Sequence, residues 1–241
     1  MKKLKAKRRP GRLGFKPRRF LVRWGIKLLI LMMLVSAGQV AIVRIVDPPF
    51  TMRMVWDYAS CRLRSAPYQS PLYFWRALTK ISPSLQKAVL AGEDQRFLDH
   101  SGFDTIEIRN AFNELVSEHR IRGASTISMQ TARTVYLMPS RSFWRKGLEA
   151  YYTALIELLW SKKRILEVYL NTVDWGPDIM GAEAAARYYF NKPSGYLSSR
   201  QAALLAAILP NPHRLSPLEP SKSVRLRVRR ILKDMPHMPR L

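Results

Sequence analysis

The sequence predicts a mainly α-helical domain behind one N-terminal membrane-spanning helix, and two patterns carry that prediction. Apolar residues recur at helical spacing from Ser82 to Pro210, and most of these runs open on a Ser or Asp able to cap a helix. Ahead of them lies an uncharged apolar run, Leu28 to Val43, preceded by a strongly basic flank. A chain of 241 residues, with about 195 beyond that run, suits one domain with a full core.

Taken in order, residues 1–23 form a basic tail with eleven Lys and Arg and no acid. Residues 24–43, with Lys27 snorkelling, give about twenty residues, enough to cross a bilayer core. The charge asymmetry keeps the tail in the cytoplasm and exports the remainder. Ser36-Ala37-Gly38 offers a signal-peptide cleavage site as the alternative, but the apolar run continues past it, which favours a retained anchor. Residues 44–82 combine four prolines with Trp56, Tyr58, Tyr68, Tyr73, Phe74 and Trp75, and read as a packed connector of short strand or turn pieces.

From 83 to 241 the pattern is one helical domain. Ser82-Pro83 opens a helix ending at Glu93, and Asp104 with Glu107 opens one whose stripe is Ile108, Ala111, Phe112, Leu115 and Val116. A third, about Ser142 to Trp160, is expected to bury Trp144, Leu148, Tyr151, Tyr152, Leu155 and Leu159. Ile165, Leu166, Tyr169 and Leu170 mark a fourth, Gly181 to Tyr189 a fifth, and Ser198 with Gln201 opens a sixth that stops at Pro210.

The formal net charge is +24, and taking away the eleven tail cations leaves +13 on the remainder. Such a domain expects an anionic partner, and beyond a membrane that means lipid headgroups or polyprenyl pyrophosphates rather than nucleic acid. No zinc-finger, RNP-like or basic-zipper pattern is present. The lone Cys61 excludes an internal disulfide, and no Cys/His cluster has metal spacing. Ser84 and Lys87 fit the S-x-x-K of acyl-enzyme transpeptidases, yet no K-T-G or S-x-N accompanies them.

Three sets of residues could carry chemistry. Glu93, next to Gly92 at a helix end, can project a carboxylate from a rigid element, as a general base requires, or can simply be solvated. Ser125 and Thr126 stand at a helix start, where free N–H groups and hydroxyls receive an anion or merely cap the helix. Gln130, Arg133, Arg141 and Arg145 follow as a polar and cationic wall, and Glu149 lies one turn after Arg145, the spacing of a surface ion pair.

Four ordered blocks, E-D-Q-R-F-L-D-H-S-G-F-D from Glu93, G-A-S-T-I-S-M-Q from Gly123, R-K-G-L-E at 145–149 and K-R-I-L-E-V-Y-L-N at 163–171, resemble the peptidoglycan glycosyltransferase module that polymerises lipid II. The chain is most similar to the monofunctional biosynthetic peptidoglycan transglycosylases, from about Pro48 to about Leu232. The resemblance implies a two-lobed, lysozyme-like helical fold around a cleft. It implies transfer of the growing glycan from polyprenyl pyrophosphate to the 4-hydroxyl of lipid II, with inversion. Glu93 is then the base and Glu149 the second active-site carboxylate, which orients Arg145, holds a divalent cation (Mg or Mn) or assists leaving-group departure. No organic cofactor is expected. Ser125, Thr126, Gln130, Arg133, Arg141, Arg145, Lys146 and Asn171 become substrate-binding or cleft-wall residues, and Asp94 and His100 structural ones.

Met129, Arg133 and Thr134 depart from the family's usual Gln, Lys and Asn; arginine keeps the charge but replaces a point ammonium with a planar fork. The expected partners are lipid II, the nascent glycan, the membrane and other cell-wall synthesis and division proteins, and not nucleic acid. The expected place is the bacterial inner membrane, single-pass, with the catalytic domain periplasmic or extracellular. A lysozyme-like glycan-cleaving enzyme and a non-catalytic cell-wall scaffold are the alternatives.

Overall fold

The computed structural model describes residues 17–118, 123–140 and 142–241. The first sixteen residues of the basic tail, and Arg141, lie outside the described residues. Two compact units result, one ending at Gln39 and one running from Val40 to Leu241.

Helix α1 (Pro17–Val43) begins on a proline, whose missing N–H costs nothing in a first turn. Its segment Phe20–Val43 is 24 residues long with mean hydropathy 2.2, long and apolar enough to cross a membrane. The side chains from Leu28 to Val35 are all exposed, an apolar surface that water does not stabilise.

The second unit opens with α2 (Met52–Leu63), a helix where the aromatic-rich connector suggested strand or turn pieces. Thr51 caps it by accepting the Met54 N–H, and no proline falls between Pro49 and Pro67 to interrupt it. The strand pieces reduce to β1 (Leu72–Tyr73). Then come α3 (Pro83–Glu93), α4 (Thr105–Glu118), α5 (Ile127–Tyr136), α6 (Phe143–Leu159) and α7 (Lys162–Thr172). The short strands β2 (Asp174–Gly176) and β3 (Ile179–Met180) precede α8 (Ala182–Phe190), α9 (Ser199–Ile208) and α10 (Lys222–Asp234). In the small sheet β3 is central, parallel to β1 through Leu72↔Ile179 and antiparallel to β2.

Side-chain caps set most helix starts. The oxygens of Ser82, Asp104, Thr126, Ser142, Ser161, Ser198 and Ser221 accept first-turn N–H groups, each satisfying a donor with no intrahelical partner. Helix α9 packs on α3 and α10, and α5 packs on α6 and α7. Ala202, Ala203, Ala206 and Ala207 are fully buried, and their small side chains let the neighbouring helices approach α9 closely.

One burial expectation fails: the start of α6 faces outward, with Trp144 83% exposed. The apolar stripe on α4 also faces outward, with Phe112 63% exposed. What α6 buries is Glu149, Thr153 and Ile156. Periodicity identifies a helix face but not what covers it, and the inward face of α6 carries polar groups that belong to the site.

Within this unit the Trp160 indole N–H donates to the Val40 carbonyl at 2.7 Å. Arg164 donates to the carbonyls of Val43 and Val46 and pairs with Asp47 and Glu167. The carbonyls of Val40 and Val43 at the end of α1, and of Val46 just beyond it, are thereby hydrogen-bonded by side chains.

Candidate active site

Glu93 ends α3 with its side chain 12% exposed. Its Oε2 accepts from Gln130 Nε2 at 3.0 Å and its Oε1 accepts from Arg227 Nη2 at 2.9 Å. The same Arg227 nitrogen donates to the Gly92 carbonyl at 2.9 Å. Gly92 lies inside the last turn of α3. A Cβ there would lie 3.2 Å from Ile231 Cδ1, and glycine lets α10 come close enough for Arg227 to reach the carboxylate.

Gln130 cannot turn freely. The Tyr169 hydroxyl donates to its Oε1 at 3.1 Å, which leaves the amide Nε2 facing Glu93. Tyr169 is buried, and desolvation, followed by the Glu93 charge, holds its pKa well above the ordinary value, so it stays a neutral donor. Glu93 is itself raised above the usual carboxylate range, chiefly by burial, while the hydrogen bond from Gln130 and the charge of Arg227 pull the other way. The result is a carboxylate easier to protonate than a solvated one, and fixed in direction.

Asp94 and His100 serve the loop that follows. The Gly102 N–H donates to His100 Nδ1 at 3.1 Å, so the ring proton sits on Nε2 and donates to Asp94 at 3.0 Å. Asp94 also accepts the first N–H of α5, from Ile127. Gly102 has φ +90°, and a Cβ there would lie 2.8 Å from Thr153 Cγ2, so the loop closes on α6 only through glycine. Lys162 donates to the His100 carbonyl at 2.6 Å and pairs with Glu157, which also accepts from Ser128. The loop after Glu93 is thus held from α5, α6 and α7.

Glu149 is fully buried, and both its oxygens face cations: Arg145 Nη1 at 3.0 Å and Lys146 Nζ at 2.7 Å. The spacing of a surface ion pair therefore hides a buried carboxylate under two partly exposed cations. A divalent cation on Glu149 would have to share each oxygen with the charge of Arg145 or Lys146. Among the described residues no group of three or more His, Cys, Asp or Glu could hold a metal.

Arg133 is exposed one turn after Gln130 and near enough to act electrostatically on the Tyr169 phenol. It, Arg145 and Lys146 are described cations; Arg141 lies outside the described residues. Ser125 is half-buried just ahead of α5.

Two residues expected to line a substrate surface are spent inside the protein. Thr126 is buried, donates to the Gly102 carbonyl at 2.6 Å and accepts the Met129 N–H. Asn171 is buried and clasps Arg76 by accepting its N–H and donating to its carbonyl, each at 2.8 Å. Of the departures, Met129 is buried and Thr134 donates to the Gln130 carbonyl, so neither offers a polar group outward.

Arg227 and the hydroxyl of Tyr169 were not legible as site groups from sequence. A signal for Arg227 did exist, since it sits between Val224, Val228 and Ile231, a cation within the apolar face of its own helix. Two cavities, about 250 Å³ and 170 Å³, share Pro177 and His213 beside the β2–β3 hairpin, and neither is lined by Glu93 or Glu149.

The transglycosylase family model matches residues 66–236. The biosynthetic peptidoglycan transglycosylase of Shewanella oneidensis is 45% identical over 212 residues, 88% of this chain and 90% of that one. The protein of the same name from Aeromonas hydrophila is 46% identical over 209 residues, 87% and 88% of the two chains. That of Pseudomonas aeruginosa is 45% identical over 217 residues, 90% and 93%.

Proposed function

The chain belongs to the transglycosylase family as a peptidoglycan glycosyltransferase of cell-wall synthesis, and from that premise we propose how its residues divide the reaction. The acceptor is lipid II and the donor is the growing glycan on its polyprenyl pyrophosphate. Glu93, ionised, takes the proton of the acceptor 4-hydroxyl. The oxygen attacks the donor anomeric carbon, the C–O bond to pyrophosphate breaks from the opposite face, and the pyrophosphate leaves with the electron pair.

The observation that carries this reading is the state of Glu93: directed by Gln130 and Arg227, largely desolvated, and raised in pKa. A base so placed contributes about 10²–10⁴ in rate. Arg133, Arg145, Lys146 and Arg141 receive the charge developing on the leaving pyrophosphate, an interaction that strengthens as the bond breaks. Glu149 acts through Arg145 and Lys146, fixing the direction of both in the first turns of α6. Any divalent cation is carried by the substrate phosphates and not by Glu149. The exposed apolar helix is a single-pass anchor of the bacterial inner membrane, with the basic tail in the cytoplasm and the domain outside.

Purified protein incubated with labelled lipid II tests the reading. Strand growth with release of polyprenyl pyrophosphate is expected, and Glu93→Gln abolishes it. Release of reducing sugars from preformed glycan instead would make the protein a hydrolase, and near-parental synthesis by Glu93→Gln would remove the base.

A further inference from the structure

Helix α10 faces two ways. Val224, Val228 and Ile231 are buried in the core, and Arg227 turns inward to Glu93. The opposite face carries Lys222, Arg225, Arg229, Arg230 and Lys233, all exposed, with Leu226 among them at 54% exposure. Positions 222, 225, 226, 229, 230 and 233 follow the 3, 4 rhythm of one helix face, so the cations form a band about 16 Å long. Among the described residues none of the five pairs with a carboxylate, and the one ion pair of the helix is that of Arg227 with Glu93. Five neighbouring cations without counter-charge repel one another, and a rigid packed helix cannot spread them. The band is therefore built for an anion larger than a single side chain.

We propose that this outer face of α10 docks on the anionic headgroups of a phospholipid leaflet, with Leu226 entering the headgroup boundary. Charge complementarity favours that occupant, since a straight row on a convex helix matches an extended anionic plane. An exposed leucine inside the row is apolar where a purely polymeric or solvated face needs none. The same chain carries a helix able to cross a membrane, so the domain works beside such a surface. This inference rests on the anchor reading. Because Arg227 links the helix to Glu93, docking also restrains the element that directs the base.

The test uses the full chain with a polarity-sensitive fluorophore on Leu226→Cys in a Cys61→Ser background. It is reconstituted without substrate into vesicles of phosphatidylcholine alone or with phosphatidylglycerol. A blue shift is expected with phosphatidylglycerol only, lost in high salt and in Arg225→Gln/Arg229→Gln/Lys233→Gln. About fivefold in surface affinity is expected per charge removed. In neutral detergent the triple variant should polymerise lipid II at the parental rate, which shows that it folds. No shift with anionic vesicles, or a shift that appears only once glycan is made, overturns the proposal in favour of a bare face or a glycan surface. Loss of polymerisation in detergent by a correctly folded triple variant also overturns it, by assigning the band to substrate. The lipid readout needs no catalysis, so its failure leaves the catalytic reading standing.

Discussion

Glu93 and Glu149 are both carboxylates on helices, both withdrawn from water, and their surroundings make opposite use of them. Glu93 has one amide and one guanidinium, keeps 12% exposure, and has a raised pKa because burial outweighs those partners. Glu149 is closed on both oxygens by cations and keeps no exposure at all. The first environment leaves a proton acceptor; the second leaves a counter-ion. Two withdrawn acids therefore do not imply two acid–base catalysts, and partner count with residual access separates them.

The sharpest way to break that comparison is to remove each charge. Glu93→Gln should lower strand synthesis by at least about 10³-fold with an unchanged circular dichroism spectrum. With Glu93 as the proposed base, parental activity should fall as pH drops through its folded-state pKa. Since burial raises that value, the fall should begin above the pH at which a solvated glutamate would protonate. A pH–rate profile flat down to the ordinary carboxylate range would remove Glu93 as the base.

Glu149→Gln should cost roughly 10²-fold in rate and about 1–3 kcal/mol in stability. The stability loss stays below that of a wholly buried pair because Lys146 reaches solvent. Its Mg titration should keep the parental midpoint, and a shifted midpoint would restore the carboxylate as a metal ligand.

Arg133→Ala should lower the rate about 10–100-fold, more in kcat than in KM, since a charge-assisted phosphate contact is worth about 1.5–3 kcal/mol. Arg133→Lys should recover most of it. Parental activity in Arg133→Ala would remove this residue from the leaving-group side.

The smaller effects sharpen the Glu93 side alone. Arg227→Gln removes a charge that lowers the Glu93 pKa, so the acid limb of the pH–rate profile should move to higher pH. An unmoved limb would mean that Arg227 serves only the packing of α10. Tyr169→Phe frees Gln130 to rotate and should slow polymerisation several-fold with little change in melting temperature, because a neutral hydrogen bond contributes about 1 kcal/mol. An unaffected rate would show that the Gln130 orientation needs no such guard.

Much of the helical plan was legible because caps and periodicity are local. Ser82, Asp104, Ser142 and Ser198 begin helices where hydroxyl or carboxylate capping requires, and the apolar line Ile165, Leu166, Tyr169, Leu170 is buried as spaced. Helix α2 was missed because aromatic and proline content outweighed a proline-free run with a threonine cap. Trp144 and Leu148 were taken for core by hydrophobicity, and their exposure depends on which neighbours reach that face, something no window of sequence contains.

By itself the sequence determined most of the helix starts, an apolar segment long enough to cross a membrane, the excess of positive charge and the ordered blocks that point to glycan polymerisation, since each depends on residues near one another in the chain. Tertiary structure alone decided the separate fates of the two glutamates, the inward use of Thr126 and Asn171, and the place of Arg227, 134 residues from Glu93, on the Glu93 carboxylate. Those outcomes depend on burial and on partners brought from distant segments. A carboxylate's affinity for its proton is set by what surrounds it in space, not by what precedes it in the chain.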